Sequence, residues 1–351
     1  MFVVEDILPE GGFISKLPKD WQPRDERMQR LLFTVDHQNQ KIFIKAVTAK
    51  IKREVFNSTF VPRIRVLLNL DHWNVTKYCG LALAEPVYCN ENHLCHLTAS
   101  LYYAGNDLRA WTKNNLKDTG VISPEHIKQF LCHVLTGLHY LHVQCKHKIF
   151  HCDIKPQNLI VVHADQRVVI IDFEGAAVNG ELSHETENNC YTPIYAAPEL
   201  LHCTALAPNE EAEVCGKTDI WSVGCVAIYL ATGEEPVICE WKGSTGPGTH
   251  EWENYSYGKK YTYHTSAVVS VGGRKGKPQL PELSSAEGDQ NLLNFIKSCL
   301  MFDPEQRKSA AELLHDAYLK SAAPEFCPKF MDNSMCAILS EGKERQRLES
   351  F

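Results

Sequence analysis

The chain has 351 residues, of which 44% are hydrophobic and 23% are charged, and its net charge is −7. This composition is typical of a globular protein with room for one large domain or two lobes, and the acidic balance argues against nucleic acid or an anionic membrane as a partner. The 14 cysteines include no C-x-x-C pair, which favours a reduced chain in the cytosol or nucleus over a disulfide framework.

Residues 1–103 are predicted to be rich in strands. The acidic segment 1–6 has no basic region and is not expected to be a signal peptide. Apolar, β-prone runs bounded by turn signals predict strands at residues 2–8, 13–17, 31–35, 41–47, 81–87 and 94–102. Helical spacing after Pro62 predicts one helix at residues 62–70.

From Asp107 onward the hydrophobic spacing becomes mainly helical. Ser123 followed by Pro124 predicts a strong helix start, because serine caps the first turn and proline suits its first position. Further helices are predicted at 107–114, 219–232, 290–303 and 309–318, and short strands at 159–162 and 168–171. Residues 179–196 are predicted to form a long loop, and residues 241–288 an irregular insert that is rich in glycine and serine. The helix at 219–232 is almost wholly apolar, which predicts burial on all sides, and no apolar run is long enough to span a bilayer.

The run from His151 to Asn158 places an acid, a lysine and an amide within six residues, Asp153 to Asn158. A second acid, Asp172, directly follows the predicted strand 168–171. If these groups converge at neighbouring strand ends, they supply the hard oxygen ligands and the cation that phosphate and Mg²⁺ require. Taken alone, the run is also typical of a polar surface loop, and Asp172 is also typical of a turn residue at the end of a strand.

The chain resembles the eukaryotic-type protein kinases over about residues 1–320. The resemblance rests on six segments in the family's order, namely I-F-I-K at 42–45, H-C-D-I-K-P-Q-N at 151–158, D-F-E at 172–174, T-P-I-Y-A-A-P-E at 192–199, D-I-W-S-V-G at 219–224 and D-P-E-Q-R at 303–307. It implies a two-lobed α+β fold with a small, strand-rich N-lobe of one main helix at 1–103, a larger, mainly helical C-lobe at 104–320 and a tail at 321–351. Glu199 and Arg307 match a pair of the family that forms an ion pair.

The resemblance also implies a role for each matching residue. Asp153 is expected to accept the proton of the substrate hydroxyl, and Lys155 to neutralise the transferring phosphoryl group. Asn158 and Asp172 are expected to bind Mg²⁺. Lys155, with a threonine at position 192, favours serine and threonine over tyrosine as acceptors.

Alignment with the family places the ATP-binding hinge at Leu101–Tyr103 and a small gatekeeper, Ser100, beside it. The implied ATP contacts are Lys45, Gly11, Gly12, Leu101, Tyr103 and Asp107, the last of them to the ribose. Gly11 and Gly12 are equally interpreted as a simple turn, since the family's glycine-rich pattern is incomplete there.

Three further positions depart from the family pattern. Arg63 stands where a helix glutamate is expected to pair with Lys45, and Glu54, the nearest acid before it in the chain, is a weak substitute. Glu174 replaces the glycine of D-F-G, which predicts backbone strain. Cys152 replaces the arginine that receives an activation-loop phosphate, so activity is predicted to be independent of phosphorylation at residues 183, 186 and 191.

The sequence therefore predicts an ATP- and Mg²⁺-dependent serine/threonine protein kinase with protein substrates. The alternative is a pseudokinase that serves as an ATP-binding or scaffold module, which the departures at Arg63 and Glu174 favour. A small-molecule phosphotransferase is disfavoured by the substrate-side segment ending at Glu199. The mixture of retained catalytic residues and lost regulatory residues resembles kinases of large DNA viruses.

Overall fold

The computed structural model describes residues 29–37, 40–49, 61–83, 94–120, 122–181, 191–192, 194–203, 214–236, 238–246, 249–255, 276–278, 287–301 and 303–320. The predicted strands at 2–8 and 13–17, the glycines between them and the tail at 321–351 lie outside these residues. Within the described ranges, no helix has both the length and the apolar character needed to cross a membrane.

The small lobe is built on an antiparallel sheet of four strands in the order β1-β2-β4-β3. The strands are β1 at Gln29–His37, β2 at Gln40–Ala49, β3 at Tyr78–Leu83 and β4 at Leu94–Leu101. Lys45 lies opposite Thr98 in the register of β2 and β4. Because side chains alternate along a strand, Ile42 and Ile44 are buried while Lys45 points to the other face.

The predicted helix of the small lobe is present as α1 at Val61–Leu67. Val61, Ile64 and Leu67 form its buried side, at the three-residue spacing of one helix face. The helix is three residues shorter at its C-terminal end than predicted, because residues 68–70 form a turn whose amides bond to carbonyls of the last helical turn.

The larger lobe is mainly helical. Its helices are α2 at Leu108–Thr119, α3 at Pro124–His139, α4 at Pro198–Cys203, α5 at Gly216–Thr232, α6 at Glu287–Cys299, α7 at Ala310–Leu314 and α8 at Ala317–Lys320. Ser123 caps α3 by accepting a hydrogen bond from the His126 amide, as its sequence predicts. Helix α5 is buried at every position from Thr218 to Leu230, so the prediction of an all-round buried helix is confirmed.

Short strands bring the polar segments of the larger lobe together. They are β5 at Gly105–Asp107, β6 at Ile149–Phe150, β7 at Leu159–Val162, β8 at Val168–Ile170 and β9 at Ala177–Val178. The β7–β8 hairpin confirms the two predicted strands, and β6 pairs with β9. Backbone bonds from Thr76 and to Asn74 join Ile170 of β8 to the segment after α1, so the hairpin is fixed to the small lobe.

Part of the predicted irregular insert at 241–288 is regular, at residues 241–246, 249–255 and 276–278, and most of the remainder lies outside the described residues. Strands β10 at Ile238–Gly246, β11 at Thr249–Tyr255 and β12 at Gly276–Pro278 form an antiparallel sheet with β10 in the centre. The composition is rich in glycine and serine, but long-range strand pairing overrides it. The architecture is therefore a small strand-rich lobe and a larger helical lobe, while the exact lobe limits at 103 and 320 stay predictions.

Candidate active site

A cavity of about 350 Å³ lies between the sheet of the small lobe and the β7–β8 hairpin. Five of the predicted nucleotide and metal residues line it, namely Lys45, Leu101, Tyr103, Asn158 and Asp172. Ser100 lines it too, beside Thr98 on the same face of β4. A single site therefore brings together residues from both lobes that are as many as 127 positions apart in the chain.

Asp107 is not among the residues that line this cavity. Its Oδ1 accepts a hydrogen bond of 2.9 Å from the amide of Ala110, so Asp107 is the N-cap of helix α2. Gly11 and Gly12 lie outside the described residues. Among the residues at the cavity, sequence reasoning did not single out Gln157, whose side-chain oxygen is buried and has no hydrogen-bond partner among the described residues. Its position next to Asn158 is the signal that points to it.

The segment after β6 gathers its polar groups around one carboxylate, that of Asp153. Lys155 Nζ lies 2.6 Å from Asp153 Oδ2, and Asn158 Nδ2 donates to the same oxygen at 3.1 Å and to the Asp153 carbonyl at 2.8 Å. Lys155 also donates to Thr192 Oγ1 at 2.7 Å. The other oxygen, Asp153 Oδ1, is buried and has no hydrogen-bond partner in the described part of the chain. An acceptor is thus fixed in place with one oxygen left for a further donor.

A buried carboxylate on α5 fixes the backbone of this segment. Asp219 is fully buried and accepts hydrogen bonds of 2.8 Å from the amides of His151 and Cys152 and from the ring of His142. Cys152 has a φ of 63°, a left-handed conformation that few residues other than glycine adopt, and the bonds to Asp219 stabilise it. Burial, followed by the charge of Asp219, raises the pKa of the Cys152 thiol well above its usual value, so this thiol stays protonated.

Lys45 contacts two carboxylates at the base of the cavity. Its Nζ lies 2.8 Å from Asp172 Oδ1 and 2.9 Å from Glu174 Oε1. The segment that carries these acids is anchored by Phe173, which is buried, packs edge-on against His151 and donates its amide proton to Tyr78 Oη at 3.2 Å. The two acids therefore sit on a backbone whose position is fixed from both lobes.

The predicted ion pair between Glu199 and Arg307 is present. Arg307 Nη1 and Nη2 lie 2.7 and 3.1 Å from the two oxygens of Glu199, which is a bidentate arrangement. The arginine side chain is fully buried and also donates to the carbonyls of Lys217 and Met301. This pair connects α4 to the start of α5 and to the segment after α6.

A family model described as protein kinase domain matches residues 31–319. The chain belongs to the protein kinase family. It is 24% identical over 308 residues to mitogen-activated protein kinase kinase kinase 2 of Arabidopsis thaliana, and the match spans 86% of this chain and 40% of that protein. It is 25% identical to mitogen-activated protein kinase 13 of the same plant, covering 81% of this chain and 73% of the relative. For the DYRK-family kinase pom1 of Schizosaccharomyces pombe the identity is 24%, covering 83% of this chain and 26% of the relative.

Among the kinase positions that depart from the family pattern, Glu174 does not have the predicted strain. The positive-φ residues other than glycine in the described ranges are Cys152, Gln166, Asp172 and Asn179, and Glu174 is not one of them. It lies in the short 3₁₀ helix Phe173–Gly175, and the left-handed residue is its neighbour Asp172, with a φ of 68°. The prediction of strain at Glu174 is therefore wrong.

Arg63, which the sequence comparison places at the position of the family's helix glutamate, lies in α1, and its side chain turns toward another segment. Arg63 Nη2 donates to the carbonyl of Glu181, in the segment that follows β9. Of the predicted phosphorylation positions, 183 and 186 lie outside the described residues, and the side chain of Tyr191 is buried. A buried tyrosine is a poor phosphate acceptor, so Tyr191 is withdrawn as a candidate.

Proposed function

We propose that this chain transfers the γ-phosphoryl group of ATP to serine and threonine hydroxyls of proteins. One observation carries the proposal, the unpartnered, buried oxygen of Asp153 beside a cavity lined by Lys45, Asn158 and Asp172. A purely structural carboxylate is expected to have both oxygens satisfied, because leaving a buried acceptor unpaired costs free energy.

The residues present fit both ATP and Mg²⁺. Asn158 and Asp172 offer the amide and carboxylate oxygens that Mg²⁺ prefers, and Lys45 offers a cation to phosphate oxygens. Leu101 and Tyr103 line the same cavity, and the resemblance to the family places the purine beside them. When bound, Mg²⁺ neutralises charge on the phosphates and helps to align them. Gln157, with its buried oxygen, offers one further acceptor to the nucleotide or the substrate.

Asp153 would act as the acceptor of the substrate hydroxyl's proton. Its Oδ2 is already engaged by Lys155 and Asn158, so the carboxylate is oriented with Oδ1 directed to the substrate. Lys155, held between Asp153 and Thr192, would stabilise negative charge on the transferring group. Held in place before the reaction, these groups do not need to be reoriented during phosphoryl transfer.

The remaining finer proposals concern substrate class and compartment. The contact from Lys155 to Thr192 supports serine and threonine acceptors, since both residues resemble those of the family's serine/threonine branch. Every cysteine whose side chain the structure describes is a free thiol, which supports a cytosolic or nuclear location. Protein substrates are proposed because the segment ending at Glu199 is anchored by Arg307 next to the active site.

A pseudokinase is the second candidate, and the observation that favours it is Arg63 at the position of the helix glutamate. One assay separates the two. The purified chain is incubated with γ-labelled ATP, Mg²⁺ and a generic protein substrate, next to the Asp153→Asn variant. We expect label on serine and threonine, with a rate at least about 100-fold lower in the variant, because general base catalysis contributes that much. Binding of ATP without transfer by the unmodified chain would refute the kinase proposal in favour of the pseudokinase.

A further inference from the structure

Among the described residues, Lys45 has two acidic partners, and both come from the segment after β8. Asp172 and Glu174 each lie within 3 Å of its Nζ, at 2.8 and 2.9 Å. The side chains of Lys45 and Glu174 are only 12% and 18% exposed. At that degree of burial, an ion pair is screened less by solvent and salt than a pair on the surface.

In the range Val61–Leu67 that the structure describes, helix α1 contributes no acid to this arrangement. Its sequence from Val61 to Leu67 contains no aspartate or glutamate, and the cation Arg63 stands at the position expected for a glutamate. The guanidinium of Arg63 is bonded to the carbonyl of Glu181. The helix is therefore attached to the segment after β9, and the lysine is held from a different element.

Glu174 is placed for this contact by its backbone. The 3₁₀ helix Phe173–Gly175 has ordinary, negative φ at Glu174, and Phe173 is anchored by Tyr78 and His151. A glycine in the same place would have no side chain to reach Lys45. The two departures from the family pattern, Glu174 for glycine and Arg63 for the helix glutamate, thus concern the partners of the same residue, Lys45.

We propose that Glu174 is the positioning residue of Lys45, in place of a helix carboxylate; this deepens the proposed kinase function and rests on it. Asp172 is also the proposed Mg²⁺ ligand, and a carboxylate engaged by a metal is less available to an ammonium group. Glu174 then keeps Lys45 oriented toward the nucleotide phosphates. The contact of Lys45 is thereby independent of the position of α1.

The kinetic test uses three substitutions at one position and a distant control. Glu174→Gln is expected to lower kcat by roughly 10- to 100-fold with a small change in KM for ATP, because a charge-assisted contact that orients Lys45 is lost. Glu174→Asp keeps the charge and is expected to retain most of the activity. Glu174→Gly, which installs the family's glycine, is expected to lower kcat as Gln does. The control is Glu305→Gln, an exposed acid remote from the cavity, which leaves kcat unchanged.

A second measurement needs no catalysis and separates this inference from the kinase proposal. Urea unfolding is followed for the wild-type chain, Lys45→Met, Glu174→Gln and the double variant, without nucleotide. A direct ion pair makes the two substitutions non-additive, by roughly three- to thirtyfold in the unfolding equilibrium constant. Additive effects would overturn the proposed pair, as would a kcat that rises in Glu174→Gly or is unchanged in Glu174→Gln. Non-additivity in a chain that transfers no phosphate would support the pair and refute only the kinase activity.

Discussion

Arg307 is the buried residue whose removal is expected to destabilise the larger lobe most clearly. Its fully buried guanidinium donates to both oxygens of Glu199, at 2.7 and 3.1 Å, and to two backbone carbonyls. Arg307→Met preserves most of the side-chain volume but leaves the Glu199 carboxylate, 17% exposed, without its bidentate partner. Breaking such a pair on one side costs about 3–5 kcal/mol, because the remaining charge stays desolvated. That is a large share of the 5–15 kcal/mol by which a typical protein is stable.

The measurement is the free energy of unfolding in urea, with Lys77→Met as a control. Lys77 pairs with Asp71 at 3.2 Å, and the two side chains are 43% and 53% exposed. An exposed pair contributes about 0–1 kcal/mol, so the control variant should remain close to the wild type. The double variant Arg307→Met with Glu199→Gln should lose less than the sum of the two single changes. If Arg307→Met costs no more than Lys77→Met, the assignment of the buried pair as a stabilising brace is refuted.

Three further predictions concern the cavity, the activation segment and pH. Ser100→Phe should exclude ATP analogues with bulky N6 substituents that the wild-type chain accepts; equal rates for both proteins would contradict a small gatekeeper. Ser183→Ala with Thr186→Ala should leave kcat within about threefold, because Cys152 offers no cation to a phosphate there; loss of activity with an intact fold would exclude this. Burial lowers the pKa of His133 to about 4. Below the ordinary histidine pKa of about 6.5, the unfolded chain protonates His133 while the folded chain does not. The free energy of unfolding should therefore fall by about 3 kcal/mol between pH 6.5 and 4, and His133→Gln should reduce that loss.

The elements that the sequence predicts well are those with local signals. Ser123 and Pro124 specify the start of α3 through a cap and a preset φ, and both are present in the structure. The apolar run of α5 is also a local signal, because a helix without a polar face is predicted to be buried on all sides. The sheet of β10, β11 and β12 pairs segments as far apart as Ile238 and Pro278, and such pairing has no local signature in a glycine- and serine-rich segment.

In the candidate active site, too, the residues that belong to local motifs are predicted, and the contacts that depend on the fold are not. Motifs place Lys45, Asn158 and Asp172, and the structure brings all three to one cavity. The alignment predicts a ribose contact for Asp107, and the structure adds a second role that local spacing does not specify, because its Oδ1 accepts from the amide of Ala110 at the start of α2. The contact between Lys45 and Glu174 was missed, because it depends on how the β8 segment meets the small lobe rather than on spacing along the chain.

The unusual residues of this member of the protein kinase family are better understood together than one at a time. Cys152 removes a cation from the catalytic segment, Arg63 adds one to α1, and Glu174 adds an acid beside Lys45. The added arginine donates to the carbonyl of Glu181, and the added acid forms an ion pair with Lys45 at 2.9 Å, so each new charge has a defined partner. Random loss of function would be expected to leave such charges without compensation, since a partly buried charge without a partner is costly. The pattern therefore favours a kinase in which two contacts have been moved to new elements over one in which they have simply been lost.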